Sequence, residues 1–234
     1  LDPTYWVTTG ENKENAASLE KAFENAKNGD VIEQDKNLAE YEQTAPITVK
    51  TDVTLTTGKG FNDTENTIYY KGTGEPLFVI EQGGKLTLSD CSLCGNVNAE
   101  NKKGGLILVK SGGTLVIDST TLKGACLKAD GSLGGVIYAE KGGKVVINSA
   151  TFKNNYSANG FDLYAEDKAD VTVSGGISVD FASAEGKVSD RANSEIAVTL
   201  NGKEITYSGN LIVKVKSLKL PIPKNAYNFG ILEP

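Results

Sequence analysis

Residues 134–152 read GGVIYAEKGGKVVINSATF, and the second half of the phrase, GGKVVINSATF at 142–152, echoes GGTLVIDSTTL at 112–122 and GGKLTLSDCSL at 83–93. The copies start 29 and 30 residues apart, and a fixed period of that size marks a unit that stacks on its neighbours. Aligned on the glycine pair, Leu86 and Leu88, Leu115 and Ile117, and Val145 and Ile147 share offsets and alternate with Thr87, Val116 and Val146. A period of two means a strand with one set of side chains turned inward. Further along, Cys91 and Leu93, Thr120 and Leu122, and Ala150 and Phe152 read as a second inward pair after a corner. That corner carries Asp90, Ser119 and Ser149, preceded by Ser89, Asp118 and Asn148, residue types whose side chains bond to the nearby backbone and tolerate turns.

The strand before each glycine pair supplies Phe78 and Ile80, Ile107 and Val109, and Ile137 and Ala139 as inward positions. It also reveals a fourth copy: GFDLYAEDKADVTV at 160–173 matches 134–147, with Leu163 and Ala165 inward and Lys168-Ala169 replacing the glycine pair. An earlier, degenerate coil contains Ile47, Val49, Val53 and Leu55. Three such strands are too short to bury a core alone, so neighbouring coils must stack, about 4.8 Å apart along an axis. The expected fold is all-β: a right-handed parallel β-helix over 31–180, three short strands per coil of about 26–33 residues. A leucine-rich repeat would need its Asn-anchored LxxLxLxxN phrase and a propeller blade four strands per unit, and neither fits.

Residues 1–30 read as an N-terminal segment with an amphipathic capping helix: Ala16, Leu19, Ala22, Phe23 and Ala26 share a helical face, with Gly29 at the C-terminal cap position. Such a lid covers core and strand edges that an open solenoid end exposes. Residues 181–234 read as a C-terminal β-rich cap or small appended sheet. Within it Asn201-Gly202 separates two alternating runs, a strong hairpin signal, and LIVKVKSLKL forms a further strand stopped by Pro221 and Pro223.

Twenty-four basic against 30 acidic residues leave a charge of −6, which disfavours a nucleic-acid partner. No apolar stretch approaches the roughly 20 residues of a membrane span, and the chain opens on LDPTYW rather than a signal peptide. The expectation is a soluble, monomeric piece of something longer. The chain has no histidine, and its one arginine is Arg191, which removes His-based triads and nearly every bidentate anion clamp. Cys91 and Cys94 form a CxxC without a second pair or a histidine to complete a zinc site. Cys91 is inward and reads as a small buried thiol. Cys94 is outward, and the sequence leaves open whether it pairs with Cys126.

The phrases GGLILVKSGGTLVI, GGVIYAEKGGKVVINSATFKNN and ASLEKAFENAKNGDVI resemble the parallel β-helix domains of bacterial and archaeal surface proteins. These are the adhesin-like and polymorphic outer-membrane-type families with a GGxIY…FxNN repeat. The resemblance covers roughly residues 15–176. It implies an exported, extracellular or surface-displayed protein, often one module of a long adhesin; the expected job is non-catalytic adhesion or display, with a host or microbial surface protein or a glycan as ligand. The alternative is a carbohydrate-active β-helix enzyme, a lyase or hydrolase; a structural spacer is the second. Lyases of this fold use an Arg or Lys base with carboxylate-bound calcium, and hydrolases use paired carboxylates. Arg191 lies outside the clean repeats and no Asp-Asp pair falls within them, so no catalytic residue and no cofactor are expected, calcium being the one ion the fold class would admit.

The candidate contact face is the outward row Val79, Leu108, Tyr138 and Tyr164, flanked by Leu77, Leu106 and Val136, with Glu140 and Glu166 two residues beyond the tyrosines and Glu81 and Lys110 in the same row. A contiguous apolar strip marks a contact surface unless the chain covers it itself. Tyrosine stacks on sugars and anchors protein partners. Two covers are open, the 95–104 loop and the LIVKVKSLKL strand.

Overall fold

The computed structural model describes residues 5–36, 40–166, 168–174, 178–179, 181–182, 187–191, 195–200, 203–208 and 212–213. They form a parallel β-helix of about five turns. Each full coil gives one strand to each of three sheets. Sheet I stacks Ile47–Val49, Phe78–Ile80, Ile107–Val109, Ile137–Ala139, Leu163–Ala165 and Phe181–Ala182. The solenoid part of sheet II stacks Asp30–Gln34, Asp52–Thr56, Lys85–Ser89, Thr114–Asp118, Lys144–Ile147 and Asp170–Ser174. Sheet III stacks Glu40–Gln43, Thr67–Tyr70, Ser92–Cys94, Thr120–Lys123 and Ala150–Lys153.

Register is residue on residue. Leu86 pairs with Leu115 and Leu115 with Val145, while Ile80 pairs with Val109 and Val109 with Ala139. Every inward position read from sheets I and II of the clean repeats is buried, and so are Cys91, Leu93, Thr120 and Leu122; Ala150 and Phe152 are half-buried against the same core. A fully buried Leu or Ile contributes about 1.5–3 kcal/mol. The stacked columns therefore supply the driving force that a single coil lacks.

One part of the alternation fails. Leu77, Leu106 and Val136, read as flanking the outward row, are fully buried in the core. Leu106 N–H and Ile107 N–H both donate to Val136 C=O, at 3.0 and 2.9 Å, and Val136 and Ile137 repeat this on Asp162 C=O at 3.2 and 2.9 Å. Two successive amides converge on one acceptor, so the chain kinks as at a bulge and two neighbouring side chains turn inward.

The corners explain both glycine pairs. Gly83, Gly112 and Gly142 have φ of 80°, 76° and 81°, and Lys168, which replaces the glycine of the fourth copy, is held at 62°. The column is kept by backbone bonds, since Gly112 N–H donates to Gly142 C=O at 3.0 Å and Gly142 N–H to Lys168 C=O at 3.1 Å. The polar corner between sheets II and III likewise uses left-handed residues, Asp90 at 51° and Ser119 at 44°. Ser119 N–H donates to Ser149 Oγ at 2.7 Å, and Ser149 Oγ donates to Asp118 Oδ1 at 3.0 Å, so these side chains tie coil to coil.

The N-terminal segment differs from the expected single helix. Tyr5–Thr9 and Asn12–Ala16 form an antiparallel hairpin that extends sheet II, with Tyr5 opposite Gln34. Helix α1 is short, Leu19–Asn25, with the Ser18 side chain accepting from Lys21 N–H at 3.2 Å as its N-cap. Ala16 therefore reaches the core from a strand, and the helix ends extended at Ala26 rather than at Gly29. The buried face survives the change, since Leu19 and Ala22 sit in the core and the Phe23 ring lies 5.4 Å from that of Phe78. The first coil's interior also holds polar side chains, with Tyr5, Gln34 and Gln43 buried there.

At the other end Glu195–Leu200 and Lys203–Ser208 pair antiparallel with Leu200 opposite Lys203. Asn201-Gly202 itself lies outside the described residues. Lys203–Ser208 also joins Asp170–Ser174 in parallel, and Lys187–Arg191 adds on beyond Glu195–Leu200, so these strands continue sheet II. Of LIVKVKSLKL, Ile212–Val213 is described, paired with Ser178–Val179; the remainder of that strand, Pro221 and Pro223 lie outside the described residues.

The corner column gives a test. An L-residue in the left-handed region costs roughly 1–2 kcal/mol relative to glycine, so Lys168→Gly is expected to stabilise the chain by about 1 kcal/mol in urea unfolding. A Cβ on Gly134, whose φ is 65°, would stand 2.1 Å from Ile137 C=O. Gly134→Ala is expected to cost at least about 2 kcal/mol by the same measurement.

Candidate contact face

The row on the outer side of sheet I is continuous in space. Thr48 pairs with Val79, Val79 with Leu108, Leu108 with Tyr138, and Tyr138 with Tyr164. Stacking at the inter-coil spacing lays the two tyrosine rings 5.4 Å apart and within 9° of parallel. Val79 and Leu108 are half-buried, whereas Tyr138 is 2% and Tyr164 9% exposed. The strip is therefore closed at its tyrosine end, as it is when the chain covers its own row.

The cover over Tyr138 comes from the 95–104 loop. Lys103 Nζ sits 4.5 Å from the ring centroid of Tyr138, opposite a charge-attracting aromatic face, and 3.5 Å from Glu166 Oε1. Tyr138 Oη donates a short hydrogen bond to Glu166 Oε1, and Lys141 N–H donates to Glu166 Oε2 at 3.0 Å. The loop is positioned by backbone bonds to the next coil: Gly104 N–H donates to Leu133 C=O at 3.1 Å and Gly105 N–H to Gly135 C=O at 3.0 Å. Asn101 Nδ2 braces it from within, donating to Gly104 C=O at 2.7 Å.

Burial raises the Tyr138 hydroxyl well above the usual phenol range, and its bond to charged Glu166 raises it further. Tyr164 shifts the same way, first by burial and then by Glu166. Burial alone would push the Glu166 carboxyl up, but the Tyr138 hydroxyl, the Lys141 amide and the Lys103 charge outweigh it, and the net shift is downward. Both shifts favour protonated tyrosines beside an ionised Glu166. Glu81 pairs with Lys110 at 2.8 Å, and Glu140 stands half-buried in the same row.

Elsewhere, Cys91 is buried and its thiol donates to Leu55 C=O at 2.8 Å, with burial pushing it up to about 12. Cys94 and Cys126 are half-buried free thiols rather than a disulfide. Among the described residues, no three His, Cys, Asp or Glu side chains gather in a metal-binding group. None of the described helices is long and apolar enough to cross a membrane. No protein-family model matches the chain, and neither a curated protein nor a solved structure does.

Sequence spacing brings the tyrosines and Glu166 together; Lys103 as the group that lies over Tyr138 is the part it does not single out. Its only signal is the KKGG phrase at 102–105, where a lysine precedes the glycines of the corner leading into the strand.

The folded-state pKa of Glu166 is depressed, so its contribution to stability is full above the ordinary value of 4.5 and is lost as pH falls through the lower folded value. Glu166→Gln is expected to cost about 1 kcal/mol at pH 7, allowing for solvent screening, and nearly nothing in strongly acid solution. Chemical denaturation of both proteins across pH 2–7 reads this difference.

Proposed function

We propose that this chain is a non-catalytic module of a secreted or cell-surface microbial protein, which binds or displays ligand on a rigid β-helical rod. The observation that carries the reading is the unbroken residue-on-residue register of the sheets. It turns side chains at one offset into straight outward rows, as in Val31, Thr54, Thr87, Val116, Val146 and Thr172 on sheet II. Rows of this kind on stacked repeats make extended recognition surfaces without any enclosed cavity. The resemblance to adhesin-like repeats supports the same reading, with a surface glycan or protein as the ligand.

A second reading, a structural spacer, draws on the burial of Tyr138 and Tyr164, the former beneath Lys103. A broad glycan and surface-protein array probed with the intact chain separates the two. The binding reading expects a saturable ligand whose affinity drops at least about tenfold, or about 1.4 kcal/mol, when an outward row is interrupted by Thr87→Lys and Val116→Lys. The spacer reading expects no ligand on the array. Product release from acidic or neutral polysaccharides, lost on changing one carboxylate, would overturn both in favour of a lyase or hydrolase.

A further inference from the structure

Sheets II and I end differently at the N-terminal side. Sheet II is continued by the Tyr5–Thr9 and Asn12–Ala16 hairpin, whereas sheet I stops at Ile47–Val49, which has no further strand beyond it among the described residues. Ile47 N–H donates to Leu77 C=O at 2.7 Å and Val49 C=O accepts from Glu81 N–H at 3.0 Å, so these two residues direct their amides into the sheet. Strand alternation then turns the N–H and C=O of Thr48 outward, together with Pro46 C=O and Lys50 N–H. Pro46, Thr48 and Lys50 are all exposed. The open edge ends at Asp52, whose N–H donates to Asn28 Oδ1 at 2.8 Å and whose C=O accepts from Gly29 N–H at 2.7 Å.

Beside this edge runs a groove of about 430 Å³, walled on its other side by α1 through Glu20, Phe23 and Glu24. A helix flanking an unpaired strand edge is the geometry in which proteins receive an extended peptide by strand addition. Two features fix the occupant. Leu19 and Ala22 of α1 are buried and Phe23 reaches Phe78, so the helix already stands on the first coil where a second copy would have to dock its own coil. A single strand alongside the helix does not meet that obstacle. Among the charged side chains that line the groove, Glu20, which accepts from Gln43 Nε2 at 2.8 Å, and exposed Glu24, which is ion-paired to Lys21, outnumber the one cation, Lys50, on a chain of charge −6.

We propose that Pro46–Lys50 is a docking edge for one extended segment of a partner protein, a peptide that carries basic residues toward α1 and adds as a further strand to sheet I. Its backbone pairs with Thr48 N–H and C=O, Pro46 C=O and Lys50 N–H, its apolar side chains rest on Phe23, and its cations face Glu20 and Glu24. This edge shares Thr48 with the end of the sheet I row, but it uses the backbone of that residue and does not depend on either reading of the row's side chains.

The test uses the full chain, a synthetic peptide of alternating valine and lysine, a matched valine–glutamate peptide, and the valine–lysine peptide N-methylated at alternate amides on its pairing edge. Amide NMR is expected to show the Thr48 and Lys50 signals shifting with the valine–lysine peptide and gaining protection from hydrogen exchange. Thr48→Pro removes the central donor and is expected to weaken binding at least about tenfold; N-methylation does the same from the ligand side if that variant folds poorly. Glu24→Lys is expected to narrow the preference for lysine over glutamate by up to about fivefold. The proposal is overturned if no peptide binds, if the glutamate or methylated peptide binds equally well, or if the perturbed amides lie away from 46–50. Protection of Thr48 by self-association of the chain alone would also overturn it.

Discussion

Everything in this structure follows from coil-to-coil backbone pairing in parallel register. A strand of three to five residues cannot hold itself, and a single coil has no interior. Once Ile107 is bonded between Phe78 and Ile137, however, every side chain at that offset must share the same column. Inward columns become a continuous apolar core, outward ones become rows, and corners become stacks of residues with one backbone geometry. The left-handed conformation of Lys168 shows the order of authority: the coil dictates the torsion, and an unsuited side chain accepts it.

The same constraint explains what could be read from the amino-acid sequence. The glycine pairs and the period-two alternation of Leu86/Leu88, Leu115/Ile117 and Val145/Ile147 are local signals, and stacking amplifies them because each copy repeats the last. The inward set was therefore legible. The hairpin Tyr5–Thr9 with Asn12–Ala16 was not, because its second strand, NKENA, is polar and exposed at four of five positions and carries no alternation. Burial of Leu77, Leu106 and Val136 was hidden for another reason. A shared acceptor such as Val136 C=O shifts the phase of the alternation by one residue, and nothing in the letters marks a shared acceptor.

The contact row shows the boundary between pattern and packing. That Tyr138 and Tyr164 stack, with Glu166 near them, follows from offsets alone. That Lys103 lies across Tyr138 depends on how a loop of irregular sequence returns to the solenoid, and such a return is set by tertiary contacts rather than by period. Closure at the tyrosines leaves Val79 and Leu108 as the more open part of the row, nearer the N-terminal end where Thr48 belongs to the same line.

The column of corners ties the length of this rod to whole units. Each coil enters and leaves through the same left-handed corner, so an insertion within a strand would move every later side chain to the wrong face. Duplication or loss of one complete coil, by contrast, changes the rod by a single step of about 4.8 Å and leaves both ends unaltered. The stretches 95–104 and 124–135 between sheets III and I are themselves bridged, Ala99 to Leu127 and Lys103 to Leu133, so added residues are absorbed at their exposed points, 97–98 and 130–131. A lineage building on this fold can thus tune reach by counting coils and tune its surface by editing those two stretches, with little interference between the two.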